Sequence, residues 1–79
     1  MNQSQVIERL QSVFDKVFME EVVVTPALTA ADVDEWDSLT HVALVLAVER
    51  EFGVRFKVGE VEAAKSVGEF AELIVKRLG

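Results

Sequence analysis

Cysteine is absent from this sequence of 79 residues, and proline occurs only once. Without cysteine the chain cannot form a disulfide, and no thiol of its own can act as a nucleophile, metal ligand or redox switch. We expect one domain over residues 1–79, because no linker, repeat or low-complexity tract divides the chain. So small a domain has a limited core and must be stabilised by packing between helices, for which an apolar fraction of 51% is sufficient.

Basic residues and long apolar runs are also scarce. Eight Lys and Arg against 14 Asp and Glu give a formal net charge of −6. Such a surface offers no counter-charge to nucleic-acid phosphates or anionic lipids, so neither is an expected partner, whereas basic proteins are. The apolar run from Val42 to Val48 is far shorter than the roughly 20 residues that span a bilayer. The N-terminus lacks the basic stretch and apolar core of an export signal, so we expect a cytoplasmic protein.

The spacing of apolar residues predicts an all-α fold, a four-helix bundle with three main helices, one short third helix and a long first loop. Helix one should cover residues 3 to about 18, and Asn2 with Gln5 can form the cap at its start. Periodicity fails over residues 19–37, which predicts an irregular connection with a capped turn at Thr29 and Asp32. Three side chains are expected to hold this loop on the helix ends: Leu28, Val33 and Trp36.

Helix two is predicted from Ser38 to Phe52, with Asp37 as its N-cap and Gly53 as the left-handed residue that ends it. Its apolar character extends nearly all the way round, which is typical of a helix that is central or binds a partner. A short third helix should follow over residues 59–64, and Ser66 with Glu69 should cap a fourth. The expected core stripe of helix two is Leu39, Val42, Val45, Leu46 and Phe52.

Ser38 lies where the polar first loop meets the most apolar helical run, so its hydroxyl should be exposed at a helix N-terminus. On base rates, a serine in this place is only a capping residue. One alternative is a small interaction module that binds a partner through helix two and carries no prosthetic group. Another is a minimal hydrolase that pairs Ser38 with His41 and uses Asp34 or Asp37 as orienter, but no pocket or oxyanion hole is evident for it.

An acidic cluster precedes helix two and consists of Asp32, Asp34, Glu35 and Asp37. It lacks the glycine and the terminal glutamate spacing of a calcium-binding loop, so we predict no metal site. Trp36, within the same segment, is expected to pack as a lid on the bundle.

The tripeptide Asp37-Ser38-Leu39 resembles the Asp-Ser-Leu motif of the acyl carrier protein family. The match continues through the second helix, at Val42, Leu44, Val45, Ala47, Glu49, Glu51 and Phe52, and the helix pattern extends it over essentially the whole chain. The resemblance implies that Ser38 carries 4′-phosphopantetheine, transferred from coenzyme A by a phosphopantetheinyl transferase. Acyl or related intermediates would then be attached as thioesters to the thiol of that group. The chain would be a free-standing, monomeric carrier and not an enzyme.

The residues after the motif depart from fatty-acid-type carriers, in which these positions are commonly acidic. Here they are Thr40, His41 and Ala43, and Arg50 further interrupts the acidic face. These departures suggest dedicated acyl-loading and acyl-transferring enzymes outside primary fatty acid synthesis. The residues expected to contact those enzymes are Glu35, Asp37, Leu39, Leu46, Glu49, Glu51, Phe56 and Glu60.

Two further expectations concern the modified serine. A phosphodiester on Ser38 would lie beside unpaired backbone N–H groups at the positive end of helix two, an arrangement worth about 0.3 to 1 kcal/mol when exposed. If the helices part, an acyl chain could be sheltered among Leu46, Phe56 and Val61, although packing density argues against a large cavity beforehand.

Overall fold

The structure is a computed structural model that describes residues 1–57 and 59–79. It contains three α-helices, α1 (Gln3–Val17), α2 (Ser38–Phe52) and α3 (Val67–Leu78), with a short 3-10 helix at Ala30–Asp32 in the first loop. Both α2 and α3 pack on α1. The predicted all-α fold, the bounds of helices one and two and the start of helix four are therefore confirmed. No helix in the described parts of the chain is long and apolar enough to cross a membrane.

The helix ends follow from local side chains. Asn2 and Gln5 form the predicted reciprocal cap at the start of α1, because each side chain accepts a hydrogen bond from the other residue's backbone N–H. Gly53 ends α2 in the left-handed region, with φ of 65°. Ser66 starts α3 by accepting a hydrogen bond from the N–H of Glu69 at 3.3 Å.

The prediction of a short third helix is wrong, because residues 59–64 form hydrogen-bonded turns and not a regular helix. Ala63 N–H donates to the carbonyl of Gly59, as in an α-helix, but Ala64 N–H donates to that of Val61, only three residues back. Gly59 has φ of 88°, which is incompatible with right-handed helix. These mixed hydrogen bonds do not propagate, so the segment remains a folded connection between α2 and α3.

The core stripe predicted for α2 is largely wrong. Phe52 is buried as predicted and Val45 is half-buried, but Leu39, Val42 and Leu46 are exposed. The fully buried residues of α2 are instead Leu44 and Val48. Because apolar residues occupy nearly every face of α2, spacing alone could not identify the face that meets the core. The core side chains that α1 and α3 contribute are Val6, Leu10, Val13, Phe14, Val67, Phe70, Ala71 and Ile74.

Hydrogen bonds attach the first loop at several points along its length. The side chain of Gln11 accepts from the N–H of Val24 at 2.9 Å and donates to the carbonyl of Val22 at 2.7 Å. At the start of α3, Val67 N–H donates to Leu28 O at 2.8 Å and Gly68 N–H donates to Pro26 O at 2.9 Å. The apolar contacts expected of the loop are also present, because Val33 is buried and Leu28 and Trp36 pack partly buried against the core.

Candidate functional site

Ser38 is the first residue of α2, and its side chain is exposed. The cap comes from its neighbour, because Asp37 Oδ1 accepts hydrogen bonds from the N–H groups of Leu39 and Thr40, each at 3.0 Å. Thr40 completes the box when its Oγ1 accepts from Asp37 N–H at 2.7 Å. Since Asp37 caps the helix, the hydroxyl of Ser38 is not needed to hold α2 together.

This cap also sets the electrostatics beside Ser38. The backbone N–H of Thr40, with further hydrogen bonds from the Thr40 hydroxyl and the Leu39 N–H, lowers the pKa of Asp37, so its carboxylate is charged at neutral pH. The expectation that a phosphodiester on Ser38 would meet unpaired N–H groups is therefore wrong for Leu39 and Thr40. An anion attached to Ser38 would instead lie next to a carboxylate, which offsets the favourable effect of the helix dipole.

A cleft of about 630 Å³ opens beside Ser38. It lies between the first loop, α2 and residues 61–70, and Ser38 itself lines it. The cleft is open to solvent, so it does not test the expectation that no large cavity is preformed inside the bundle. Of the predicted sheltering residues, only Val61 lines the cleft among those described. Its apolar walls include Trp36, Val42, Val61 and Phe70, and its charged lining residues include Glu62 and Lys65.

Trp36 and His41 form one side of this cleft. The indole Nε1–H of Trp36 donates to His41 Nδ1 at 3.1 Å, and the other ring nitrogen, Nε2, lies 3.6 Å from a carboxylate oxygen of Glu62. Trp36 also packs edge-on against Phe14, with ring centroids 5.4 Å apart, which is the lid packing expected from the sequence. Because both nitrogens of His41 face other residues, the Ser38 and His41 pair of a hydrolase is not formed.

The acidic residues predicted to contact partner enzymes have intramolecular partners in this structure. Glu35 accepts from the N–H groups of Met19 and Glu20, and Glu49 accepts from the N–H of Phe56. Glu51 is paired with Arg9 at 3.5 Å, while Glu60 accepts from the N–H of Lys57 and pairs with Arg77. Asp37 caps α2, as described above. Each of these carboxylates therefore has a structural role whatever it contacts in a partner.

The apolar residues predicted to contact partners divide into two environments. Leu39 is 83% exposed and Leu46 is 52% exposed, and Val42 between them is 58% exposed. Spacings of three and four residues put all three side chains on one face of α2, which we call the apolar stripe. Phe56 is instead half-buried, with its ring 5.8 Å from that of Phe70. The sequence prediction missed the exposure of Val42, although its position four residues after Ser38 was a signal for it.

Metal binding has no structural support in the described ranges 1–57 and 59–79, where no group of three His, Asp or Glu side chains is arranged to hold an ion. Within the acidic cluster, Asp32 accepts from the N–H of Thr29 at 3.0 Å and Glu35 accepts from two backbone N–H groups. The acidic cluster is thus partly used to order the first loop.

Comparison with known proteins agrees with this geometry. The family described as "Phosphopantetheine attachment site" matches residues 35–74, which include Ser38, α2 and most of α3. The chain is 33% identical to the acyl carrier protein of Thermosynechococcus vestitus over 75 residues, which cover 94% of this chain and 93% of that protein. It is also similar to the solution structure of holo acyl carrier protein from Geobacter metallireducens. That similarity has a TM-score of 0.75 and 33% identity, over 96% of this chain and 84% of the other. The chain therefore belongs to the acyl carrier protein family, whose members carry covalently attached 4′-phosphopantetheine and are not themselves enzymes.

Proposed function

We propose that Ser38 carries the 4′-phosphopantetheine and that residues 1–79 act as one monomeric, cytoplasmic carrier domain. The observation that carries this proposal is the exposed hydroxyl of Ser38 at the first position of α2, in the Asp-Ser-Leu motif and within the matched residues. Acyl or related intermediates are bound to the thiol of the attached group and presented to biosynthetic enzymes.

The residues around Ser38 support presentation of the hydroxyl and not its activation. Neither ring nitrogen of His41 faces Ser38, so a phosphopantetheinyl transferase has to supply the base and the metal ion for attack on coenzyme A. Asp37 keeps α2 capped whether or not Ser38 is modified. Lys65 and Asp37 both line the cleft, and Lys65 contributes positive charge to the surface beside the incoming phosphodiester.

Tethering explains what the chain contributes to its pathway. A flexible arm of this kind keeps its cargo at a millimolar-order concentration in front of a docked enzyme, so the enzyme does not depend on the free concentration of the intermediate. The cleft beside Ser38 gives the arm and its cargo an apolar surface on which to rest between transfers.

The enzymes that use this carrier are proposed to be a dedicated set outside primary fatty acid synthesis. Two features of the face next to Ser38 support this proposal. The apolar stripe of Leu39, Val42 and Leu46 is exposed. The carboxylates predicted to contact partners are bonded within the chain. A partner for such a face needs an apolar groove at its centre and has less use for basic residues. We continue to predict contacts between partner enzymes and the remaining residues Glu35, Asp37, Glu49, Glu51, Phe56 and Glu60.

Intact mass after incubation with coenzyme A and a broad-specificity phosphopantetheinyl transferase tests the attachment. The chain should gain one phosphopantetheine, and Ser38→Ala should gain none. Ser4→Ala is the matched control, because Ser4 is also an exposed serine in the first turn of a helix and should leave the addition unchanged. Addition to Ser38→Ala, or none to the natural sequence while a control carrier is modified, would overturn the proposal.

A second measurement tests the choice of enzymes. A malonyl transferase of fatty acid synthesis should load the modified chain much more slowly than it loads a fatty-acid carrier. Equal rates would show that the apolar stripe does not restrict the partners.

A further inference from the structure

The one tryptophan and the one histidine of the chain are bonded to each other beside Ser38. Trp36 belongs to the first loop and His41 to the first turns of α2, so their hydrogen bond joins the loop to the helix across the rim of the cleft. The two rings are nearly parallel, with an interplanar angle of 20° and centroids 6.3 Å apart. On its other side, Trp36 packs against the buried rings of Phe14 and Phe18, with ring centroids 5.4 and 5.9 Å away.

The direction of this hydrogen bond depends on the charge of His41. An indole N–H only donates, so His41 Nδ1 must accept and cannot carry a proton. Neutral His41 therefore has its proton on Nε2, which is buried and lies 3.6 Å from a carboxylate oxygen of Glu62. When the ring gains a second proton, Nδ1 becomes a donor facing the N–H of Trp36, and the hydrogen bond is lost.

The charged groups around His41 favour a change of partner after protonation. Glu62 comes from the connection between α2 and α3, and an imidazolium at 3.6 Å forms an ion pair with it. Two further charged side chains line the same cleft, Asp37 from the first loop and Lys65 from the connection between α2 and α3. From α3 the cleft is lined by Phe70, which is uncharged. Protonation thus strengthens the contact of His41 with Glu62 and removes its hydrogen bond with Trp36.

We propose that His41 is a positioning residue that holds Trp36 at the rim of the cleft when its ring is neutral and releases it when the ring is protonated. Histidine is the side chain that ordinarily changes charge between about pH 5 and pH 8. Protonation of the ring therefore frees the indole to move away from α2 and widens access to the cleft. Control of the cargo by this access depends on the proposed attachment at Ser38. The contact between Trp36 and His41 does not depend on it, because the contact is present in the unmodified chain.

The test uses the unmodified protein, so its outcome is independent of whether Ser38 is an attachment site. In nitrogen-15 NMR, the indole Nε1–H signal of Trp36 should move with the same midpoint as the ring signals of His41. The coupling transmitted through the hydrogen bond to Nδ1 should be present when the ring signals of His41 are those of neutral imidazole and absent when they are those of imidazolium. Quenching of tryptophan fluorescence by acrylamide should report about a two- to tenfold rise in the released population, the range expected for the loss of one hydrogen bond.

His41→Gln is the matched variant, because an amide oxygen can accept from the indole but does not titrate in this range. The variant should keep Trp36 held and show no pH response in NMR or in quenching. Two results would overturn the proposal: an indole signal that stays constant while His41 titrates, or a pH response that persists in His41→Gln. The hydrogen-bond coupling in the natural sequence decides the question even if that variant is poorly folded.

Discussion

Leu44 and Leu46 lie two residues apart in α2 and so face different sides of the helix, and Leu44 is fully buried while Leu46 is 52% exposed. Leu44→Ala should therefore cost about 2 to 5 kcal/mol of unfolding free energy, through lost burial and a residual cavity. Leu46→Ala should cost only about 0.5 kcal/mol, as surface substitutions usually do. Urea denaturation of the two variants checks this difference, and equal losses would mean that the core face of α2 is misassigned.

The capping of α2 gives a second prediction. Ser38→Ala should change the unfolding free energy by no more than about 0.5 kcal/mol, because the side chain of Ser38 makes no capping bond. Asp37→Ala should lower the thermal midpoint clearly more, since it leaves the N–H groups of Leu39 and Thr40 without their acceptor. Thermal unfolding of the two variants side by side measures the contrast. A larger loss in Ser38→Ala would show that the serine is the cap after all.

The apolar stripe gives a prediction for enzyme recognition. Leu39→Ala and Leu46→Ala should each raise the KM of partner enzymes about fivefold without changing kcat, the effect of losing roughly 1 kcal/mol of contact. Val23→Ala is the control, because Val23 is 69% exposed but lies in the part of the first loop bonded to Gln11. Steady-state kinetics with a phosphopantetheinyl transferase or an acyl-loading enzyme provide the measurement. An equal effect of Val23→Ala would argue against a specific face.

Gln11 gives a prediction about the first loop. Its side-chain amide satisfies the N–H of Val24 and the carbonyl of Val22, so Gln11→Ala should cost about 1 to 2 kcal/mol. The amide proton of Val24 should also exchange with solvent faster, which hydrogen exchange by NMR can measure. Ser12→Ala, at the exposed neighbouring position, should do neither. Unchanged exchange at Val24 in Gln11→Ala would mean that this part of the loop is held by its apolar contacts alone.

Acid should destabilise the fold through two carboxylates. The pKa of Asp37 is lowered chiefly by the N–H of Thr40, and that of Glu60 by the N–H of Lys57 and then by Arg77. A pKa lowered in the folded state contributes stability above the pKa of the unfolded chain, and this stability is lost as pH falls through the folded value. The natural sequence should therefore lose unfolding free energy below about pH 4.

Glu60→Gln tests this assignment, because it should remove part of that acid dependence and lower stability at neutral pH. Urea denaturation at several pH values gives both quantities. Glu72→Gln is the control, since Glu72 is exposed on α3 beyond its first turn, and it should keep the full acid dependence. If the pH dependence of the unfolding free energy is unchanged in Glu60→Gln, other residues cause the acid sensitivity.

Local signals made most of the fold predictable. Asn2, Asp37 and Gly53 each define a helix end through their own side-chain or backbone properties, so the bounds of α1 and α2 could be predicted without tertiary information. The face of α2 could not, because Leu39, Leu44 and Leu46 are equally apolar and only packing on α1 distinguishes them. The segment after Gly59 has too few residues for pattern to separate a short helix from successive turns.

The exposed position of Ser38 at the start of α2 was predictable from sequence, whereas its surroundings were less so. Ser38 is marked by a tripeptide and a loop-to-helix boundary, both of which are visible in sequence. The bond between Trp36 and His41 joins residues close in sequence, but it depends on side-chain orientation, which composition does not determine. The cleft is formed by the first loop, α2 and residues 61–70 together, so no single stretch of sequence contains it.

The backbone bonds from Val67 and Gly68 to Leu28 and Pro26 divide the first loop near its middle. A connection that would otherwise move as a single span becomes two shorter ones, and only the second of these leads to Ser38. Met19 and Glu20 are bonded to Glu35 in the second span, so only a disturbance between Glu20 and Pro26, such as an inserted peptide after Glu21, should be absorbed before it reaches the serine. The chain can vary in length between Glu20 and this anchor while the hydroxyl of Ser38 stays in the same place relative to any enzyme that approaches it.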